Sequence, residues 1–354
     1  MVRHYWNLHS PLEQSLEQKN YVVSDIALSR FNLNVSSFGT IRSLFALLLF
    51  CLLPLVTMGQ AWTKEEGKLY TKISYGSSTA SEQYTFDGRQ KEYADNVPEN
   101  AFFDRSIYLY GELGLTPDLT LIGGLPFKRV IVRDAAFRYR TFALGNAQIG
   151  ARYSLNDLFG TKGTSESFAA NVALSIPLGY TRNLTPSVGS GQIDAELNGS
   201  WGHSFYPFPG YAQAGIGYRY RSTIYNLSTA IDCQEGIDKN CFADSKPVYT
   251  DDLVAGIEGG VTIANRVLIQ GLARVNWSLK QPDVGFTVSN PIPTRQRFLK
   301  VGMGLGVALW QGIGVSGQMF FTPTGLNTVK STDIFLGIDY TFNAFSPKGE
   351  SEGE

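Results

Sequence analysis

The sequence predicts an all-β fold, a transmembrane antiparallel β-barrel of the bacterial outer-membrane type with about twelve strands. Three observations carry this. From Gly67 onward, segments of about ten residues alternate apolar with polar or small side chains, the period of a strand with two unlike faces. The connectors between segments alternate short with long, as they do when turns lie on one side of a membrane and loops on the other. The composition is poor in charge, 17% against roughly 25% in average soluble domains, yet mean hydropathy is only -0.08. An α-helical membrane protein would be far more apolar, whereas a barrel shows lipid only every second strand residue.

The amino-terminal region precedes this pattern. Residues 1–41 are polar and patternless and read as an unstructured extension, which an upstream misassigned start codon would explain. Leu44 to Val56 then form an apolar run, preceded by Arg42 and followed by Met58-Gly59-Gln60-Ala61. This order of charge, apolar run and small residues is that of a secretory signal spanning 42–61, with cleavage expected after Ala61. The run is too short, and too interrupted by Pro54, to cross a bilayer as a helix.

The barrel is expected over 62–342. Strand one sets Leu69, Ile73 and Tyr75 outward against Lys68, Lys72 and Ser74. Strand two sets Ile107, Leu109 and Leu113 against Tyr108, Tyr110 and Glu112, and Thr116-Pro117-Asp118 turns the chain into strand three, with Leu119, Leu121, Leu125 and Phe127 outward. Strands four and five place Ala147, Ile149, Ala151 and Tyr153 opposite Gln148 and Arg152, then Val172, Leu174 and Ile176 opposite Asn171 and Ser175. Strand six puts Ala195, Leu197 and Trp201 against Asp194, Glu196 and Asn198, and strand seven puts Ala214, Ile216 and Tyr218 against Gln213, Arg219 and Arg221. Strands eight and nine carry Leu253, Ile257 and Val261 over Glu258, then Ile269, Ala273 and Trp277 over Gln270 and Arg274. Strand ten sets Leu299, Val301, Met303 and Leu305 over Lys300, Gly302, Gly304 and Gly306. Val315, Met319 and Phe321 mark strand eleven, and Ile334, Leu336, Ile338, Tyr340 and Phe342 mark strand twelve.

Short connectors fall near 117, 207, 265 and 311, with a longer one at 156–167. Long ones are expected at 78–101, 128–144, 179–191, 222–251, 278–296 and 322–331, facing outside. Tyr110, Tyr153, Trp201, Tyr218, Tyr220, Trp277, Trp310, Tyr340 and Phe342 lie toward strand ends, where amphipathic rings favour the headgroup level. The segment Phe335–Phe342 is similar to the carboxy-terminal strand read by outer-membrane assembly machinery, and residues 343–354 are a polar tail on the periplasmic side.

Candidate chemistry sits in few places. Cys233 and Cys241 share the longest external loop, where an oxidising compartment favours a disulfide over two free thiols. His203 is the one histidine after the signal; a barrel lipase needs a histidine beside a nucleophile, but the adjacent Ser204 points to the opposite face. Lys68, Lys72, Glu112, Arg152, Asp194, Glu196, Arg219, Glu258, Arg274, Lys300, Asp333 and Asp339 all carry inward parity, with the two signs interspersed. Such a lining serves either a wet passage or a salt-bridged plug, and Gly302, Gly304 and Gly306 are expected to leave room along one wall. No basic stripe suggests nucleic acid, and no spacing calls for a metal or cofactor.

Pro177-Leu178-Gly179, the run Gly189-Ser190-Gly191-Gln192-Ile193-Asp194 and the glycine-rich strand ten resemble the outer-membrane channel family associated with the meta-pathway of phenol degradation. That resemblance implies passage of small hydrophobic or aromatic molecules across the outer membrane. The leading expectation is therefore a monomeric passive channel whose partners are outer-membrane lipid, the assembly machinery and a small solute. A non-conducting structural barrel with binding loops is the alternative, and a barrel lipase comes third.

Overall fold

The structure is a computed structural model that describes residues 61–94, 97, 101–178, 180, 186–225, 249–282 and 293–346. The expected signal apart from Ala61, both loop cysteines and the end of the tail lie outside the described residues.

One antiparallel sheet closes on itself. β1 (Lys68–Tyr84) pairs on one side with β3 (Phe102–Thr116) and on the other with β14 (Thr328–Asn343), so no edge faces lipid. Between them the wall continues through β4 (Leu119–Arg133), β5 (Arg138–Leu144) with β6 (Asn146–Ser154), β7 (Glu166–Pro177), β8 (Gln192–Ser204) and β9 (Gly210–Tyr225). β10 (Asp252–Ile263), β11 (Val267–Ser278), β12 (Arg297–Trp310) and β13 (Ile313–Leu326) complete it. β5 and β6 share one position in the wall and β2 (Gln90–Glu92) is a short addition to the end of β1, so the barrel has 12 strands.

Burial inverts the rule of water-soluble proteins, as a lipid-facing belt requires. Ile257 and Ile338, on the outer face, are 64% and 62% exposed, while the inward Lys72, Glu112, Arg152 and Asp339 are buried. Tyr153, Trp201, Trp310 and Tyr340 ring the short-turn end on the outside, and Tyr218, Tyr220 and Trp277 ring the other. Tyr110 departs from the expected girdle: it points inward, and its hydroxyl donates to Glu112.

Turn chemistry explains the tight end. Ala264 and Asn265 both have positive φ, the backbone of a two-residue hairpin turn that matches strand twist, and Gln311-Gly312 repeats it. A side chain at Gly312 would lie 2.4 Å from the Thr341 carbonyl oxygen. Beyond β6, α1 (Asn156–Phe159) occupies the longer connector to β7.

Three loop boundaries differ from expectation. β1 runs on to Tyr84, β4 and β5 form a hairpin through most of 128–144, and β13 and β14 meet at a single residue, Asn327, with positive φ. The cause is that strands continue above the bilayer, where the alternation reverses: on β4 the inward Val130 and Val132 are apolar and the outward Arg129 and Arg133 are charged. A search for apolar-outward alternation ends where the lipid ends. At Gly145 one extra residue also enters between the Phe127–Leu144 and Gly124–Gln148 pairs, a bulge that swaps odd for even.

Candidate functional site

The lumen has three layers. Nearest the chain's short-turn end, Ala61 to Glu66 do not join the wall but cross the interior as a strap. The Ser167 hydroxyl donates to the Ala61 carbonyl at 2.6 Å, and the Ala61 N–H donates to Gln213 Oε1 at 3.4 Å. Arg152 donates to the Trp62 carbonyl at 3.0 Å, and the Lys64 N–H donates to Thr120 Oγ1 at 2.7 Å. These partners sit on β7, β9, β6 and β4, so the strap reaches from β1 to the far wall, within the roughly 20 Å that six extended residues can span. Trp62 packs edge-on to Tyr211 with centroids 6.0 Å apart, and the Lys64 ammonium lies 5.3 Å from the Tyr70 ring centre. Two inward glycines make space for it: a Cβ at Gly202 would lie 2.6 Å from the Trp62 ring, and one at Gly114 2.0 Å from the Glu65 carbonyl oxygen. A chain beginning at Trp62 keeps every one of these contacts except those of Ala61.

The middle layer is polar and charge-balanced. Arg152, 2% exposed, grips the fully buried Glu112 with both terminal nitrogens at 3.2 and 3.3 Å, and its Nε donates to Asn171 Oδ1 at 3.0 Å. Asn171 passes a hydrogen bond to Ser200 at 3.0 Å. Arg219 donates through Nε and Nη2 to Glu196 at 3.0 and 2.9 Å, and through Nη1 to Asn276 at 3.2 Å. Asp194 accepts from Gln192 at 2.7 Å and faces Arg221 at 3.6 Å, while Asp252 lies 3.7 and 3.8 Å from Arg219 and Arg221. Between these groups is a cavity of about 250 Å³ whose polar lining includes Gln148, Arg152, Asn171, Glu196, Asn198 and Arg219.

The other predicted lumen residues are spread around the wall. Lys300 pairs with Asp333 and Lys68 with Glu65 of the strap, while Lys72 and Asp339 stand opposite each other in the β1–β14 register. Glu258 accepts from the Tyr211 hydroxyl at 2.6 Å, and Arg274 lies over the Phe320 ring at 5.6 Å. The cavity thus gathers Arg152, Asp194, Glu196 and Arg219 from the predicted set, with Glu112 bonded to Arg152 beside it, and the rest lie on β1, β10, β11, β12 and β14. Room expected along the glycines of β12 is filled: a Cβ at Gly302 would strike the Phe320 ring at 2.5 Å, and one at Gly304 the Gln270 side chain at 2.7 Å. Those glycines admit bulky neighbours rather than solvent.

The outer layer is apolar. Tyr93, Ala94 and Ala101, before and after β2's connection to β3, meet Val130 and Val132 of β4 and Tyr180 and Val188 of the next connection. The Tyr180 hydroxyl donates to Asn146 and accepts from the Gly191 N–H at 2.9 Å, tying this cap to the wall. His203 lies elsewhere, on the outer face beside Trp201, where Glu166 pairs with it; Ser204 faces inward and is buried. Sequence reasoning missed the strap and the cap; it gave Arg221 and Asp252 inward parity but left both out of the candidate lining.

No known family's sequence profile matches the chain, and the comparison with curated proteins gives no match either. Solved structures do resemble it. The COG4313 outer membrane channel from Pseudomonas putida F1 superposes with a TM-score of 0.61 at 16% identity, over 81% of this chain and 100% of that one. This chain has the fold of an outer-membrane β-barrel. The NanC porin is a more distant likeness, at 6% identity and a TM-score of 0.45 over 76% of this chain and 98% of that one. The CymD monoaromatic hydrocarbon channel stands at 9% and 0.36, over 79% and 89%.

Proposed function

We propose that the protein is a monomeric bacterial outer-membrane channel for passive passage of small solutes, including aromatic molecules that carry a polar group. The observation that carries this reading is the position of the cavity: a charge-balanced chamber at mid-lumen, with a strap that is not part of the wall crossing the lumen toward the short-turn end and an apolar cap toward the loop end. Pieces that cross a lumen can move without opening the barrel, whereas a structural barrel can fill its interior with wall side chains alone. About 250 Å³ exceeds the ~150 Å³ cavity that takes up benzene, so one ring with a polar group fits. The apolar cap suits the ring and the paired charges below it suit the polar group. The likeness to a protein described as an outer membrane channel supports the passage reading. We further read the end of β14, which closes on β1, as the segment met by the assembly machinery.

The test is uptake by proteoliposomes of phenol-sized solutes against sugars of similar mass. Faster entry of the former over protein-free vesicles supports the proposal. No entry of either, with no uptake defect on deletion in cells, would favour the non-conducting alternative. Hydrolysis of phospholipid by the protein, lost in His203→Ala, would favour the lipase.

A further inference from the structure

At the loop end, the outer face of β3, β4 and β5 changes character along a line. Ile107, Phe127 and Leu144 stand in one cross-strand row; in the next rows outward, Arg105 faces Arg129 and Arg133 faces Arg138, with Arg140 between. Successive rows on one face are about 7 Å apart along the strand, so the arginines begin one step above the apolar belt, at the depth of lipid phosphates. Like charges directly opposite one another destabilise a sheet. Here two such pairs stand on either side of the row Phe103, Ile131 and Arg140, the Arg105 and Arg133 guanidiniums lie 5.5 and 5.4 Å from the Phe103 ring centre, and among the described residues no carboxylate pairs with Arg105, Arg129, Arg138 or Arg140. The nearby acids are committed elsewhere: Asp104 faces inward to Lys128 at 2.7 Å, and Asp134 caps the hairpin tip by accepting from the Ala136 and Phe137 N–H groups at 2.8 and 2.6 Å.

The choice of cation is informative. The lysine of β4's upper half goes inside to a carboxylate, while every outward cation on this face is an arginine, whose planar fork binds phosphate through two parallel hydrogen bonds. The site is also reachable. β7 ends at Pro177, so among the described residues β5 pairs with β4 alone; Arg105, Arg138 and Arg140 are exposed, and Phe142, across from Arg129, is 71% exposed where the belt meets the arginines.

We propose that this face binds a phosphorylated glycolipid of the outer leaflet, its phosphates held by Arg105, Arg129, Arg138 and Arg140 and its acyl chains lying over Phe142 and the belt below. Lipid binding at this face rests on the orientation given by the loops but not on conduction, so its failure and that of the channel reading are separable.

The test measures binding of fluorescent lipopolysaccharide to the full mature protein purified in non-ionic detergent. Arg105→Gln/Arg129→Gln/Arg140→Gln is expected to weaken binding at least about tenfold, and dephosphorylated lipopolysaccharide to bind wild type at least about tenfold more weakly. Arg297→Gln, an outward arginine of the opposite wall stacked on Trp277, should bind as wild type. Inorganic phosphate in large excess should not displace the lipid. Equal binding by the triple variant, equal binding of the dephosphorylated ligand, or displacement by free phosphate each overturns the proposal. Heat-dependent gel migration reports whether the triple variant folds, and the wild-type comparison of the two ligands decides the matter if it does not.

Discussion

Removing Arg152 alone should be far more damaging than removing Arg152 and Glu112 together. Arg152 is 2% exposed and Glu112 fully buried, and the guanidinium makes two bonds to that carboxylate, one to Asn171 and one to the Trp62 carbonyl. Arg152→Met fills similar space but strands a buried carboxylate, a change that costs about 3–5 kcal/mol. It also frees one of the strap's anchors. Glu112→Gln/Arg152→Met removes both charges, and replacing a buried ion pair with neutral groups is often close to neutral, so the double variant should recover at least about 2 kcal/mol of the loss. Tryptophan fluorescence during guanidinium unfolding in lipid vesicles measures both. A single variant within about 1 kcal/mol of wild type, or a double variant as unstable as the single, would refute the claim that this pair is dry and latches the strap.

Other consequences follow from the same geometry. Glu196→Gln removes the nearest negative charge from Arg219 in the cavity wall, leaving Asp252 at 3.7 Å, and should shift reversal potentials in a salt gradient toward anion preference, while Arg219→Gln should shift them the other way; identical potentials would mean that the pair lines no ion path. Gly304→Val forces a side chain into Gln270 and should destabilise by about 1–3 kcal/mol, whereas Gly271→Ala on the neighbouring strand, with nothing within 4 Å of its Cβ, should unfold as wild type does. Ile257→Arg places a cation on the outer face midway along β10 and should cost about 2–4 kcal/mol in a bilayer; an unchanged unfolding midpoint would contradict lipid contact at that residue.

How much of this could be read in the chain depends on which surroundings each residue meets. Wherever hydrocarbon lies outside and polar groups inside, alternation locates the strand, and the wall from Leu69 to Phe342 emerges with its faces correctly assigned, Glu112 and Arg152 among the inward set. Alternation fails where the surroundings reverse, as at Val130 and Arg133, and where a bulge at Gly145 changes the parity. The strap was hidden for a different reason. Ala61, Trp62 and Lys64 bond to four different strands through backbone groups, and backbone bonding leaves no pattern in side-chain type; the one trace is the pair of inward glycines, Gly114 and Gly202, that stand aside for the strap. Inward parity likewise identified Glu196 and Arg219 separately but not that they pair across β8 and β9, since pairing depends on register.

The central claim is that the barrel encloses a passage closed by movable segments, and single-channel conductance tests it most directly. Wild type is compared with a variant lacking residues 61–65, both in planar bilayers and both shown to be folded. The expected result is a small or intermittent conductance in wild type and a larger, steadier one once the strap no longer bonds to Thr120, Arg152, Ser167 and Gln213. Equal conductance in the two, or none in either, would contradict it.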